Sequence, residues 1–471
     1  MRTWLVGIVA IGVVAGACQS QTSIAPTTTP VDRAASSATT APPGTVSVTT
    51  VPEAPGVPTG PVSESAAIHV DTLLEAFPEF VDREAVRAIG ESGDPRLAWL
   101  LSDVLRFLLP GQGRDDTLAA FTALTGVEVD PFNPWVEATN LLIGWEVPAP
   151  PTYREWKGDL YTSFEPRWAP FFDDPESSLD YRTLYYGGVG PDDRPLGWPD
   201  AACEGGCIAA LDDPGVTLAG GGDWYPDDGI VFGIAVDGVA RAYPKNIMEV
   251  HEMVIDTVGA TRIGMPYCTL CGTAQAYDLG AVPADIETLI LRTSGLLVRS
   301  NKLVFDLVTW SAIDMFSGRA VTGPLRGAGL TLARIPVVTT TWGAWKMEHP
   351  DTTIVAADGG IGRSYPEDPL GGRDRFGPIF PVGPIDVRLP AQTQVLGVEA
   401  PGGAFVAFPV DQAVAALAAG EAVRVGDVEA FRAAGGLRAR LTGGEELVGI
   451  QSFWFAWSQF HRSTDLWVPG G

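Results

Sequence analysis

The sequence predicts an α+β protein, with a small α-helical domain followed by a β-rich, internally duplicated domain. Three observations predict it. Apolar residues first recur at helical spacing, short β-branched runs separated by glycines follow, and two motifs then occur twice in the same order.

Asp94 and Pro95 stand where an N-cap and a first-turn proline belong. Leu97, Leu100, Leu101, Val104, Leu105 and Leu108 then share one face. Leu118, Phe121 and Leu124 continue the period after a Gly/Pro break at 110–113, so a helical domain is expected over 66–160. Residues 161–228 are rich in Pro, Gly, Asp and aromatics and read as a loop-rich connector. Strands are expected over 230–236, 239–243, 261–265, 288–293 and 303–309.

The duplication rests on two motif pairs. Val231-Phe232-Gly233-Ile234 with Ala242-Tyr243-Pro244 recurs as Val395-Leu396-Gly397-Val398 with Ala407-Phe408-Pro409. Trp342, Trp345, His349 and Thr352 share their spacing with Trp454, Trp457, His461 and Thr464. The halves span 229–355 and 393–467, with a linker over 356–392, and the shorter second half lacks the cysteine-bearing segment. The Trp pairs are expected to face the core, each stripe ending in a hydrogen-bonded histidine.

At the N-terminus, Arg2 precedes an apolar run too short to span a bilayer, and Ala15-Gly16-Ala17 lead directly to Cys18. This is the layout of a lipoprotein signal over 1–17, with Cys18 as the lipidation site and the membrane as a partner through that lipid. The protein is therefore expected in the cell envelope, outside the cytoplasm. Residues 18–65, rich in Pro and Thr, read as a disordered stalk. Acidic residues outnumber basic ones by 57 to 31, for a net charge of −26, with no basic cluster, which excludes nucleic acid as a partner class.

The residues that could carry chemistry are His251-Glu252, Asp256 and the run Met265-Pro266-Tyr267-Cys268-Thr269-Leu270-Cys271-Gly272. A Cys-x-x-Cys pair suits a disulfide or one soft metal ion, since both need short sulfur separations. Three readings follow. Cys268 and Cys271 form a structural disulfide, or pair with Cys203 and Cys207, in a scaffold or ligand-binding lipoprotein; they exchange disulfides as an oxidoreductase; or they bind copper or zinc with His251, Glu252 completing the site. The zinc-deaminase signature is one register off at both ends and is set aside. No G-x-S-x-G, P-loop, HExxH or C-x-x-C-H occurs, so enzyme status stays open.

The blocks RAYPKNIMEVHEMVIDTVG, MPYCTLCGTAQAYD, TSGLLVRSNKLVFD, TWSAIDMFSGRAVTG, WKMEHPDT and FWFAWSQFH resemble the bacterial domain-of-unknown-function family 3179 over about residues 206–467. Carried over residue by residue, the family pattern falls on Tyr243, Pro244, His251, Glu252, Cys268, Cys271, Ser294, Gly295, Asn301, Trp310, Ser311 and Gly323. Of these, Ser294, Asn301, Trp310 and Ser311 are candidates to line the cysteine site. Thr269 replaces the family's usual proline, which weakens the redox reading, and Ile255 replaces its usual asparagine.

Overall fold

The computed structural model describes residues 52–197, 203, 206–283, 286 and 289–470. The signal segment, Cys18 and the stalk up to residue 51 lie outside the described residues. Six helices open the described chain: α1 (Glu64–Ala76), α2 (Arg83–Glu91), α3 (Ala98–Leu105), α4 (Gln112–Thr125), α5 (Pro134–Gly144) and α6 (Tyr153–Phe164). Side-chain caps start the first two, Ser63 accepting from the Ala66 amide and Asp82 from the Ala85 amide. Every residue of α3 is buried, which makes it the hub around which the other helices pack. At the crossing of α2 and α4, Gly90 lies so close to Ala120 that a Cβ would fall 2.8 Å from its Cα.

Helical structure runs past the expected limit of 160. It continues through α6, a turn at Pro166–Trp168 and a short helix at Ala169–Phe172. The expected connector over 161–228 is likewise not all loop. Its strand Leu184–Tyr186 pairs antiparallel with Leu291–Val298, and Trp168 donates its indole N–H to the Ser294 carbonyl at 2.8 Å. These long-range contacts anchor a segment that its turn-rich composition alone marks as irregular.

The remainder forms five small sheets in a propeller-like arrangement. The first holds Leu184–Tyr186, Leu291–Val298, Asn301–Asp306 and Ala312–Asp314, and the helices pack on it. The second is built on the hairpin Met253–Val258 and Thr261–Cys268. The third is ordered Val338–Thr341, Ile230–Val236, Val239–Pro244, Thr353–Val355, with Val216–Leu218 added at the edge. The fourth repeats that order with Ile450–Phe453, Gln394–Glu399, Phe405–Pro409 and Asp465–Leu466. A fifth, over residues 424–447, is inserted within the second copy.

The third and fourth sheets are the duplication. In each, an antiparallel hairpin gains a third strand by an antiparallel return, and the closing strand pairs parallel to the hairpin's second strand. In each a glycine lies under a tryptophan: a Cβ on Gly233 would fall 2.3 Å from the Trp345 ring, and one on Gly397 2.3 Å from Trp457. Each of these indoles donates to a threonine hydroxyl at 2.9 Å, Trp345 to Thr352 and Trp457 to Thr464. The Trp pairs face the core as expected, all four being 1% exposed or less. The histidines differ from expectation. His349 and His461 cap their helices and lie tilted against Trp345 and Trp457 with ring centroids 4.2 Å apart, and Nδ1 of His461 is buried without a hydrogen-bond partner.

Candidate functional site

Cys268 ends the strand Thr261–Cys268, and the turn to Cys271 is closed by a 3.2 Å bond from the Cys271 amide to the Cys268 carbonyl. Gly272 follows with φ +60°, a left-handed conformation that a side chain would strain. The Phe453 amide donates to the Cys271 carbonyl at 2.8 Å, which ties the loop to the second copy of the repeat.

The two sulfurs are in direct contact and the Cα atoms stand 5.4 Å apart, inside the range a disulfide spans. Both cysteines are almost wholly buried, in a cluster with Met315, Phe316, Val395 and Trp457. Beside Cys271 Sγ lie Asn301 Oδ1 at 2.9 Å and the Ser300 carbonyl at 3.3 Å. Asn301 Nδ2 and Ser300 Oγ are buried there without partners.

A second polar group backs the loop. Glu252 accepts from the Thr269 hydroxyl at 2.8 Å with one carboxylate oxygen and pairs with Lys302 through the other. All three side chains are buried. Thr269 supplies the link between the cysteine turn and this ion pair. Sequence reading missed Lys302, which lies just ahead of the strand expected over 303–309 and inside the strand observed, Asn301–Asp306.

His251 does not join the cysteines. It ends the helix Lys245–His251, with Glu252 at φ +52° terminating it. Its Nδ1 lies 2.7 Å from the Ala209 carbonyl and its Nε2 2.7 Å from the Tyr365 hydroxyl. A carbonyl can only accept, so Nδ1 carries the proton and Nε2 accepts from Tyr365. Burial pushes the imidazole pKa down to about 4, with the Arg363 and Arg194 charges lowering it further against the Ala209 hydrogen bond. Burial also pushes the Tyr365 hydroxyl up to about 12, which keeps it a donor. The expected His251, Glu252, Cys268, Cys271 ligand set is therefore not assembled, because both ring nitrogens and the carboxylate are committed elsewhere.

Of the four candidate lining residues, Asn301 alone reaches the sulfurs. Ser294 donates to the Leu303 carbonyl at 2.5 Å and accepts from the Leu296 amide at 3.0 Å, shaping a bulge. Gly295 beside it has φ +77°, and a Cβ there would fall 2.0 Å from the Val189 carbonyl oxygen. Trp310 packs between Phe171 and Phe305, and Ser311 accepts from the Leu325 amide. These residues build the first sheet and its junction with the helices.

Cys203 and Cys207 form the other close pair, with Cα atoms 5.2 Å apart. Together with Asp192 they bring ligand atoms within 4.8 Å of one another, a group that could hold a metal. The charges around it oppose a cation. Both Asp192 oxygens are taken by Arg194 and the Ala210 amide, and Arg292 stands 3.8 Å away.

Residues 206–440 match the family described as Protein of unknown function (DUF3179), a span that holds the cysteine turn and ends before the second copy's Trp454 helix. No curated protein and no solved structure matches the chain.

Proposed function

We propose that this is an exported, lipid-anchored protein of the cell envelope whose working centre is a dithiol–disulfide pair at Cys268 and Cys271. The observation that carries the reading is the set of groups around Cys271. The Ser300 carbonyl and Asn301 Oδ1 can accept from a Cys271 thiol, while the Cα separation suits the disulfide, so one pocket serves both redox states. A mere staple needs neither the unpartnered Asn301 amide nor a buried Glu252–Lys302 pair next to it; an orphaned buried polar group costs about 1–3 kcal/mol. Reduction breaks the sulfur–sulfur bond with two electrons and two protons from an external dithiol, which leaves as its own disulfide. Burial of both sulfurs points to a small dithiol as that reagent, because a protein partner could not reach them without opening the turn.

The envelope setting rests on the signal layout ahead of Cys18 and on an oxidising compartment suiting paired cysteines. Among the described residues, no helix is long and apolar enough to cross a membrane. The alternative, copper or zinc on the two thiolates, would need further ligands from the oxygens of Asn301 and Ser300, since His251 is held away.

The test is a free-thiol count, metal analysis and redox titration of the full chain exported to a periplasm. Expected are a bridged pair as purified, one reversible two-electron couple with the fold kept, and loss of that couple in Cys271→Ser. A pair reducible only on unfolding would make it a staple. One metal per chain would establish the alternative.

A further inference from the structure

An open cavity of about 430 Å³ lies where Phe316, Arg319 and Arg334 of the first half meet Phe405, Trp457 and His461 of the second copy. Trp457 forms one wall. Phe405 stacks on His461 at 3.9 Å and Phe316 on Phe460 at 4.7 Å, so two stacked ring pairs border the space. In the first copy the positions of Phe405 and Phe460 are held by Ala240 and Glu348, and the Glu348 carboxylate accepts from the Ala434 amide instead. The repeat architecture stands without the aromatic walls. They are an addition to one copy.

The polar lining has a sign. Arg319 and Arg334 both border the cavity; the Asp314 carboxyl feels the Arg334 charge, but among the described residues no carboxylate is in salt-bridge contact with either arginine. Arg334 donates from Nη2 to the Phe316 carbonyl at 2.6 Å, while its Nε is buried without a partner. His461 adds a buried Nδ1 that also lacks one. Burial and the nearby Arg334 charge push that imidazole down to about 4, so it is neutral and offers a hydrogen bond without a charge. Glu399, exposed, lines the same cavity and disfavours a second negative group.

We propose that this cavity binds a small organic monoanion, a carboxylate on a flat aromatic body, with the carboxylate on Arg334 and Arg319 and the ring against the aromatic lining that includes Phe405 and Phe316. The volume suits a small molecule rather than a macromolecular segment. Guanidinium groups recognise carboxylates through paired hydrogen bonds, and stacked aromatic walls favour a planar guest. The proposal does not rest on the redox role proposed for Cys268 and Cys271, although Phe316 and Trp457 pack in the same cluster as the two cysteines.

Calorimetric titration of the full chain with 2-naphthoate, its amide and 2-naphthylmethylamine tests this. Saturable one-to-one binding of the carboxylate is expected, at least about tenfold weaker for the amide and absent for the amine. Arg334→Gln should remove the preference for the acid over the amide. Phe405→Ala should weaken both, and the fold tolerates it because the first copy carries alanine there. No saturation by the carboxylate, equal binding of acid and amide, or unchanged affinity in both folded variants would overturn the proposal. Cys271→Ser should bind as the parent does, which separates this result from the fate of the redox reading.

Discussion

Lowering the pH from 6.5 to 5 should destabilise the protein by about 2 kcal/mol through His251 alone. In the folded chain its pKa is pushed down to about 4, chiefly by burial, whereas an unfolded histidine titrates near 6.5. A depressed pKa on a base means that the unfolded state binds the extra proton between those values. Stability is therefore complete above about pH 6.5 and falls with pH until about 4, by roughly 1.4 kcal/mol per unit. The physical source is that protonation would give Nε2 a hydrogen facing the Tyr365 hydroxyl and would place a charge in a site that is 2% exposed. Urea denaturation of the full chain and of His251→Gln at pH 5, 5.5, 6, 6.5 and 7.5 would read it. The variant should be less stable throughout but flatter across pH 5 to 6.5, and the difference between the two slopes isolates this residue from His461, whose shift has the same sign. Parallel pH profiles for parent and variant would refute the buried, neutral assignment.

Glu252→Gln, which leaves Lys302 buried and unpaired, should cost about 3–5 kcal/mol, and the double variant with Lys302→Met less than the sum of the singles, in the same urea assay. Lys157→Met should cost a similar amount, because its ammonium is fully buried and bound by Asp103 and the Tyr181 carbonyl, each at 2.8 Å. Gly233→Ala and Gly397→Ala should each destabilise by about 1–3 kcal/mol as the new methyl meets Trp345 or Trp457, and a neutral result at either site would break the structural equivalence of the two copies.

The fold class and the duplication were legible because both depend on short-range patterns. A glycine under a tryptophan, with a threonine seven residues on to take its indole N–H, must keep its spacing in any copy of the unit, so the sequence alone determined that the unit occurs twice. Strand spacing and the apolar face of α3 likewise follow from local periodicity. What only the tertiary structure decided are the partners supplied from far along the chain. His251 is claimed by Ala209 and Tyr365, 42 and 114 residues away, and not by the cysteines 17 and 20 positions on. Lys302 reaches Glu252 across 50 residues, and Thr269 adds a bond from the cysteine turn to that pair. The cavity beside His461 draws Phe316 and Arg334 from the first half against Phe405 and Trp457 of the second. Side-chain alternation and helical period record which face a residue presents to the core, whereas which distant group meets it there is decided by how the sheets pack, and it is those meetings that assign the chemistry.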